Sequence, residues 1–121
     1  MTYVDGIVIP VPKKKLADYR KLALKASKVF IKYGALSVVE NVADDVKAGK
    51  LTSFPQAVKL KKNEVVVFSW ITYKSKRDRD RCWKQCMKDP FWANYDHAKV
   101  PFDGKRMFFG GFKSIVEAYG R

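Results

Sequence analysis

Short runs of β-branched and aromatic residues along the chain predict four β-strands, at positions 3–9, 35–42, 64–73 and 105–113. The third run carries hydrophobic residues on both of its faces, which is typical of a buried, central strand. Pro10 and Pro12 are expected to end the first strand. Gly110 and Gly111 predict a bulge or a close backbone approach in the last strand.

Apolar positions at helical spacing predict two helices between these strands. Residues 13–33 repeat apolar side chains every three or four positions, and Gly34 provides a C-terminal stop. Ser75, followed three residues later by Asp78, resembles a capping box and opens a second helix that runs to about Lys88.

The remaining segments are shorter or less regular. Asp89-Pro90 predicts a cap and a first-turn proline that open one more short helical turn. Residues 43–63 contain several turn signals and are expected to be mostly irregular, with 57–60 as a candidate hairpin arm. The order β-α-β-β-α-β therefore predicts an α+β protein with a four-stranded antiparallel sheet and two helices on one face.

The second face of this sheet is expected to be apolar as well. In the third strand, Val66, Phe68 and Trp70 alternate with another apolar set, and the last strand repeats the pattern. A solvated sheet face would instead alternate toward polar residues. The simplest cover for such a face is a second copy of the chain packed sheet to sheet, so we expect a homodimer.

Length, charge and cysteine content narrow the class of protein. A chain of 121 residues suits one domain, spanning residues 1–121. Its 25 Lys and Arg against 12 Asp and Glu give a net charge of +13, which makes an anionic partner a hypothesis to weigh. No apolar run approaches the ~20 residues of a membrane-spanning helix, and the first residues lack the features of a signal peptide. With two cysteines and no disulfide framework, we expect a cytoplasmic protein that does not associate with membranes.

Five segments of the sequence resemble the YbaA-like family, a group of small bacterial proteins without an assigned function. They are Tyr3–Gly6, Gly49–Gln56, Val67–Trp70 and, toward the end, Val100–Met107 with Gly110–Phe112. The resemblance spans nearly the whole chain and implies a ferredoxin-like protomer of the dimeric α/β-barrel superfamily. It carries over no catalytic residues. Cys82, Cys86 and the large excess of lysine depart from the family's pattern.

The superfamily includes cofactor-free oxygenases, haem-degrading enzymes and stress-response proteins, but the residues here do not favour haem chemistry. The haem-degrading pattern uses an asparagine on the first strand and a histidine on the second helix, whereas this chain has Asp5 and no histidine at those places. The only histidine, His97, lies in a polar loop, where a solvated side chain is the simpler interpretation than an acid, base or ligand-binding role. Cys82 and Cys86 are interpreted as core-facing residues. We expect no cofactor and no metal site.

Two carboxylates within apolar strands are the best candidates for a ligand-binding or acid/base role. Asp5 and Glu40 are each flanked by apolar residues, and a partly buried carboxylate must be paired or have a shifted pKa. An ion pair with Lys105 or Arg106, across the sheet or the dimer interface, is an equally good explanation. All four side chains are therefore candidate ligand-binding residues.

Several aromatic residues complete the candidate site. Phe68, Trp70 and Tyr73 either line a pocket or, more simply, pack in the core or an interface. Phe54, in the long middle loop, is expected to cap a cavity lined by strand residues. The sequence thus favours binding of an unknown small molecule beside the sheet and leaves open whether that molecule is transformed.

A stripe of lysines along the first helix supports a second hypothesis. It comprises Lys14, Lys21, Lys25, Lys28 and Lys32, at the spacing of one helical side. A solvated outer face is the simpler interpretation, and binding of RNA or another polyanion is the alternative. Phe68 and Trp70 have the alternate spacing of base-stacking aromatics, but the strand lacks the basic and glycine positions of an RNA-recognition motif. RNA binding is therefore the second choice.

Overall fold

The computed structural model describes residues 2–120, which form four strands and four helices. The strands are β1 (Tyr3–Pro12), β2 (Ser37–Val42), β3 (Glu64–Tyr73) and β4 (Phe108–Lys113). The helices are α1 (Leu16–Lys32), α2 (Phe54–Ala57), α3 (Lys76–Lys88) and α4 (Pro90–Ala93). Single 3₁₀ turns lie at Lys13–Lys15 and His97–Lys99. Within residues 2–120, no helix combines the length and apolar character that crossing a bilayer requires.

The strands form one antiparallel sheet in the order β2-β3-β1-β4. This order, with α1 and α3 on one face, confirms the predicted ferredoxin-like α+β fold. β3 is a central strand, as the apolar pattern of residues 64–73 predicts, and β1 is the other central strand. β2 and β4 are the two edges of the sheet.

The core between the sheet and the helices contains two clusters of buried side chains. The first joins Phe30 of α1, Ile71 and Tyr73 of β3, and both cysteines of α3. The second joins Tyr19 of α1 to Ile9, Val11 and Val67 of the sheet. Both clusters use the odd-numbered positions of β1 and β3, which therefore face the helices.

β1 extends through both prolines, so the prediction that they end the strand is wrong. Pro10 pairs with Val66 and Pro12 with Glu64 of β3. On the other side, the pairing of β1 with β4 stops at Val8. Beyond Val8, β3 is the single neighbour of β1. A proline, which has no backbone N–H, can there face the unpaired side of β1, where no hydrogen bond to a neighbouring strand is needed.

The middle of the chain also differs from the prediction of a hairpin arm at 57–60. Residues Phe54–Ala57 form α2, and the Ser53 hydroxyl caps this helix by accepting a hydrogen bond from the Gln56 N–H at 3.2 Å. After α2, Val58 is buried against Val8 and Val66, on the sheet face opposite α1 and α3. A helical turn therefore covers one end of that face.

The rest of the sheet face opposite α1 and α3, which we call the open face, is left largely uncovered by residues 2–120. Phe68 of β3 and Phe108 and Phe112 of β4 are exposed there. Trp70 lies beside Phe68, with a ring-centroid separation of 5.6 Å. The structure therefore shows the apolar character expected of this face. That a second copy of the chain covers it remains a prediction.

Candidate functional site

A cleft of about 360 Å³ lies between α1 and the edge strand β2. Its apolar walls come from Leu16, Ala23 and Leu24 of α1 and from Val38, Val42 and Val67 of the sheet. Its polar lining consists of Tyr19, Arg20, Ser27, Glu40 and Asn41. The cleft therefore combines a mostly apolar wall with few polar groups, as small-molecule sites do.

Glu40 is the polar anchor of the cleft. Its Oε1 accepts hydrogen bonds from the Tyr19 hydroxyl at 2.6 Å and from the Ser69 hydroxyl at 2.7 Å. Ser69 is the register partner of Glu40 on β3, so both side chains point to the helix side of the sheet. Within the described chain, Oε2 accepts no hydrogen bond and remains available to a ligand donor.

Tyr19 reaches Glu40 from the buried side of α1. Burial, together with the carboxylate beside it, raises the pKa of the Tyr19 hydroxyl far above its ordinary value. The phenol is therefore protonated at all physiological pH values and acts as a hydrogen-bond donor. Two neutral donors hold one carboxylate oxygen in place and leave the other one free.

Arg20 adds a cation at the rim of the cleft. It is exposed, and none of the ion pairs among residues 2–120 involves it. A cleft of this kind accepts a hydrogen bond from a ligand at Glu40, surrounds an apolar body, and offers Arg20 to an electron-rich group near the opening.

Asp5, the other predicted carboxylate, lies in a different place and is enclosed. It accepts hydrogen bonds from the Tyr73 hydroxyl at 2.8 Å and the Trp83 indole N–H at 2.7 Å, and Arg79 Nε lies 3.8 Å from its other oxygen. The desolvated Tyr73 hydroxyl, whose pKa is raised by burial and by Asp5, remains a donor. Asp5 thus connects β1 and β3 to α3 and has no free acceptor facing the cleft.

Within residues 2–120, neither Lys105 nor Arg106 pairs with Asp5 or Glu40, so the ion pair considered across the sheet is not formed; a pair across the dimer interface stays a prediction. Arg106 forms a bidentate salt bridge with Glu64, with N–O distances of 2.6 and 2.7 Å. Its Nε also donates a hydrogen bond to Asp103 at 2.8 Å. The Lys105 side chain is exposed, and its backbone N–H donates to Asp103 at 3.0 Å. The turn before β4 and the start of β3 are therefore clamped together at a distance from the cleft.

The predicted aromatic residues divide between the core and the open face. Tyr73 is buried with Asp5, whereas Phe54, Phe68 and Trp70 lie on the open face. Phe54 contacts Phe68 with a centroid separation of 5.7 Å, and together they line a shallow hollow of about 150 Å³. Phe54 does not line the α1–β2 cleft, so the expectation that it caps the cavity does not apply to this site.

His97 and the two cysteines lie outside the cleft. His97 is exposed, and its ring stacks on Trp92 with a centroid separation of 6.4 Å. Cys82 and Cys86 are buried in the core with their sulfur atoms 3.9 Å apart, as their interpretation as core-facing residues requires. Burial raises the pKa of Cys86 to about 12, so its thiol stays protonated and is a poor nucleophile. Within residues 2–120, no three His, Cys, Asp or Glu side chains are grouped as metal ligands.

The predicted lysine stripe lies on the exposed side of the first helix and the turn before it. All five side chains, those of Lys14, Lys21, Lys25, Lys28 and Lys32, are exposed. Lys32 pairs with Asp89 at 3.5 Å, and the other four form no ion pair within the described chain.

Sequence reasoning found Glu40 but missed its partners. Tyr19 and Ser69, whose hydroxyls hold Glu40, do not stand out from the apolar positions around them. Two signals were present: a tyrosine within a buried stripe needs a partner for its hydroxyl, and a serine inside an otherwise apolar central strand does too. Arg20 lies at the edge of that stripe, and no pattern in the sequence indicates the cleft beside it.

These observations describe a ferredoxin-like α+β protein with a cleft of small-molecule size between its first helix and an edge strand. The chain belongs to the family described as "Protein of unknown function (DUF1428)", which matches residues 2–104. It is 50% identical over 117 residues to the uncharacterized protein YbaA of Escherichia coli (strain K12), a match that covers 97% of this chain and 99% of that protein. The resemblance to YbaA-like proteins is thereby confirmed.

Solved structures with low sequence identity have the same fold. An uncharacterized NIPSNAP domain protein from Burkholderia xenovorans aligns with a TM-score of 0.57 at 12% identity, covering 98% of this chain and 99% of that one. A putative antibiotic biosynthesis monooxygenase from Nitrosomonas europaea aligns with a TM-score of 0.51 at 10% identity, covering 94% of this chain and 90% of that one. At this identity the likeness extends to the fold alone.

Proposed function

We propose that the protein is a homodimer in which each α1–β2 cleft binds a small molecule with an apolar body and a hydrogen-bond-donating group. One observation carries the ligand part of this proposal. Glu40 is fixed through Oε1 by Tyr19 and Ser69, while Oε2 faces no donor of the described chain. A positioned acceptor beside apolar walls selects a ligand by its donor group.

The dimensions of the cleft set the size of the ligand. A volume of about 360 Å³ lies near the lower end of the range of roughly 300–1,000 Å³ for small-molecule sites. This suits a compact molecule with one ring or a short branched chain. An amine or a hydroxyl would donate to Glu40, and a carboxylate at the same position would be repelled.

The dimer part of the proposal rests on the open face. Phe68 on β3 and Phe108 and Phe112 on β4 are exposed on the same face of the sheet, on either side of β1, and exposed apolar surface of this kind marks an interaction site. A sheet-to-sheet pair buries these rings in two-fold symmetric fashion. The helices and the two clefts remain on the outside of such a pair.

A comparison of simple aromatic probes tests the ligand part. We expect benzylamine and phenol to shift the backbone amide resonances of α1 and β2, and benzoate to leave them unchanged. Glu40→Gln removes the charged acceptor and keeps the shape, so the benzylamine response is expected to fall at least about tenfold in affinity. Asp45→Asn, which removes an exposed carboxylate outside the cleft lining, is the matched control. Equal benzylamine binding by the wild type and Glu40→Gln would contradict the proposal.

A second candidate function is polyanion binding, favoured by the exposed lysines of the first helix. Lys21, Lys25 and Lys28 are exposed and form no ion pair among residues 2–120. Phosphate contacts made by such a stripe would weaken steeply between about 50 and 200 mM salt. Fluorescence anisotropy with a labelled single-stranded RNA tests this, with the triple alanine variant at these positions as comparison. Binding that persists in the variant, or that does not depend on salt, removes this function.

A further inference from the structure

Arg20 of α1 lies between two neighbouring hollows of the surface. It lines the α1–β2 cleft, and it also lines a hollow of about 260 Å³ together with Ala17, Lys21 and Leu24. We call this second one the outer hollow. Leu24 is the other residue that the two share, so the cleft and the outer hollow meet at Arg20 and Leu24.

The order of side chains around α1 explains this arrangement. Successive residues of an α-helix are turned by about 100°, so Arg20 lies about 100° and Lys21 about 200° around the helix from Tyr19. Tyr19 is buried and donates its hydrogen bond to Glu40. Arg20 therefore stands at the side of the helix, where the cleft ends, and Lys21 lies on the outer side. The carboxylate is at the inner end of the cleft, and the two cations are at its outer end.

The positive charge at the outer end is not neutralised by the chain itself. None of the ion pairs among residues 2–120 involves Arg20 or Lys21. Asp18, the acidic residue of α1, lies on another side of the helix and lines a different hollow with Lys15. A guanidinium presents two parallel N–H donors that match the two oxygens of a carboxylate. The outer end of the cleft is therefore suited to an anionic group.

We propose that the ligand of the cleft carries a carboxylate at the end away from its hydrogen-bond donor, and that Arg20 selects for this carboxylate. This inference rests on the proposed function and narrows the ligand class to compact amino or hydroxy carboxylic acids. The donor of such a ligand binds Oε2 of Glu40, its apolar body lies between α1 and β2, and its carboxylate reaches Arg20 at the rim. Lys21 adds positive potential in the outer hollow.

The carboxylate alone is not expected to hold a ligand in the cleft. An exposed ion pair contributes little binding energy, because water and salt screen the two charges. Arg20 therefore improves the affinity of a ligand that Glu40 already anchors. Benzoate, which offers no donor to Glu40, is still expected to leave the protein unchanged.

Pairs of probes that differ in charge and hardly in shape test the role of Arg20. The meta and para isomers of (aminomethyl)benzoate are each compared with the corresponding carboxamide, by titration of the amide resonances of α1 and β2. We expect at least one benzoate to bind the wild type at least about threefold more tightly than its carboxamide. Arg20→Gln should remove this preference. Arg77→Gln, which removes an exposed arginine of α3 outside both hollows, is the matched control and should retain it.

The outcomes separate this inference from the proposed function. A wild type that binds benzylamine through Glu40 but prefers neither benzoate overturns the role of Arg20 and leaves the proposed function standing. A preference that survives Arg20→Gln, or that Arg77→Gln removes equally, also overturns the role of Arg20. Benzylamine binding that does not depend on Glu40 overturns the proposed function and this inference together, because the ligand then lacks its anchor.

Discussion

At the scale of single residues, the cleft depends on how hydroxyl groups position one carboxylate. The Tyr19 and Ser69 hydroxyls converge on the same oxygen of Glu40, at 2.6 and 2.7 Å. Because both donors belong to elements packed in the core, Glu40 is held in one orientation although its own side chain is exposed. Preorganisation of this kind lets a small site discriminate between ligands.

The variant Tyr19→Phe removes one of these donors and keeps the buried ring. We expect the free energy of unfolding to fall by about 1 kcal/mol, the usual net contribution of such a hydrogen bond. Urea denaturation of the variant and the wild type measures this difference. Tyr119→Phe, at an exposed hydroxyl that also donates to a glutamate, should change stability by much less. Equal losses in the two variants would argue against a positioned Tyr19–Glu40 contact.

The Glu64–Arg106 pair predicts part of the pH dependence of stability. The hydrogen bonds from Arg106 hold the pKa of Glu64 below its ordinary value in the folded protein. A carboxyl group with a lowered folded-state pKa stabilises the protein above its unfolded-state pKa, and this contribution disappears as the pH falls through the folded-state value. Stability should therefore decline on acidification below about pH 4.5, the ordinary value for this group.

The variant Glu64→Gln isolates this contribution. At neutral pH we expect it to be less stable than the wild type by about 2 kcal/mol, because a charge-assisted pair is lost. The difference in stability between the variant and the wild type should narrow as the pH falls below the ordinary pKa of a glutamate side chain. Thermal or urea unfolding at neutral pH and near pH 3 provides the measurement, and a gap that stays constant would contradict this account.

At the scale of elements, the strands and helices with strong local signals were predictable. β3 matches residues 64–73, and α3 begins after Ser75, whose hydroxyl accepts a hydrogen bond from the Asp78 N–H at 3.1 Å. In both elements local pattern and tertiary packing favour the same structure. The prediction for β1 failed because the consequence of a proline depends on whether a neighbouring strand is present, which the local sequence does not record.

The short helix α2 and the partners of the candidate site were missed for different reasons. Ser53 and Gln56 have the spacing of a capping box, with Pro55 in the first turn, so the signal for α2 was present and was outweighed by the turn residues around it. For the site, Glu40 stood out within an apolar strand. Its contact with Tyr19 depends on how α1 crosses the sheet, and that is fixed by tertiary packing.

Gly111 lies where the side chains of Tyr3 on β1 and Arg79 on α3 meet β4. A Cβ at this position would collide with the Tyr3 hydroxyl and the Arg79 guanidinium, which are themselves hydrogen-bonded at 3.0 Å. Because the atoms in the way are the ends of two side chains that can shift, we expect Gly111→Ala to destabilise the protein by only about 1 kcal/mol, the lower end of the usual cost of overpacking. Gly104→Ala, where the added atom meets open space, should be nearly neutral. The two melting temperatures provide the comparison, and an unchanged Gly111→Ala would contradict the close approach.

At the scale of the whole molecule, two surfaces matter most: the open face of the sheet and the α1–β2 cleft. In the proposed dimer the open face packs on a second copy, and the α1–β2 cleft stays on the outer, helix side of each copy. The exposed lysines stay on the outer side of the first helix, where they do not oppose pairing of the sheets. A net charge of +13 on each chain predicts some repulsion between copies, which added salt should relieve.

The mass of the native protein in solution tests the central claim most directly, because the proposed dimer depends on the pairing of the open faces. Light scattering at micromolar concentration, at low and at moderate salt, gives that mass. The account predicts twice the chain mass of 13.9 kDa at both salt concentrations, since apolar burial holds the pair together. A mass of 13.9 kDa under both conditions would leave Phe68, Phe108 and Phe112 in water and would contradict it.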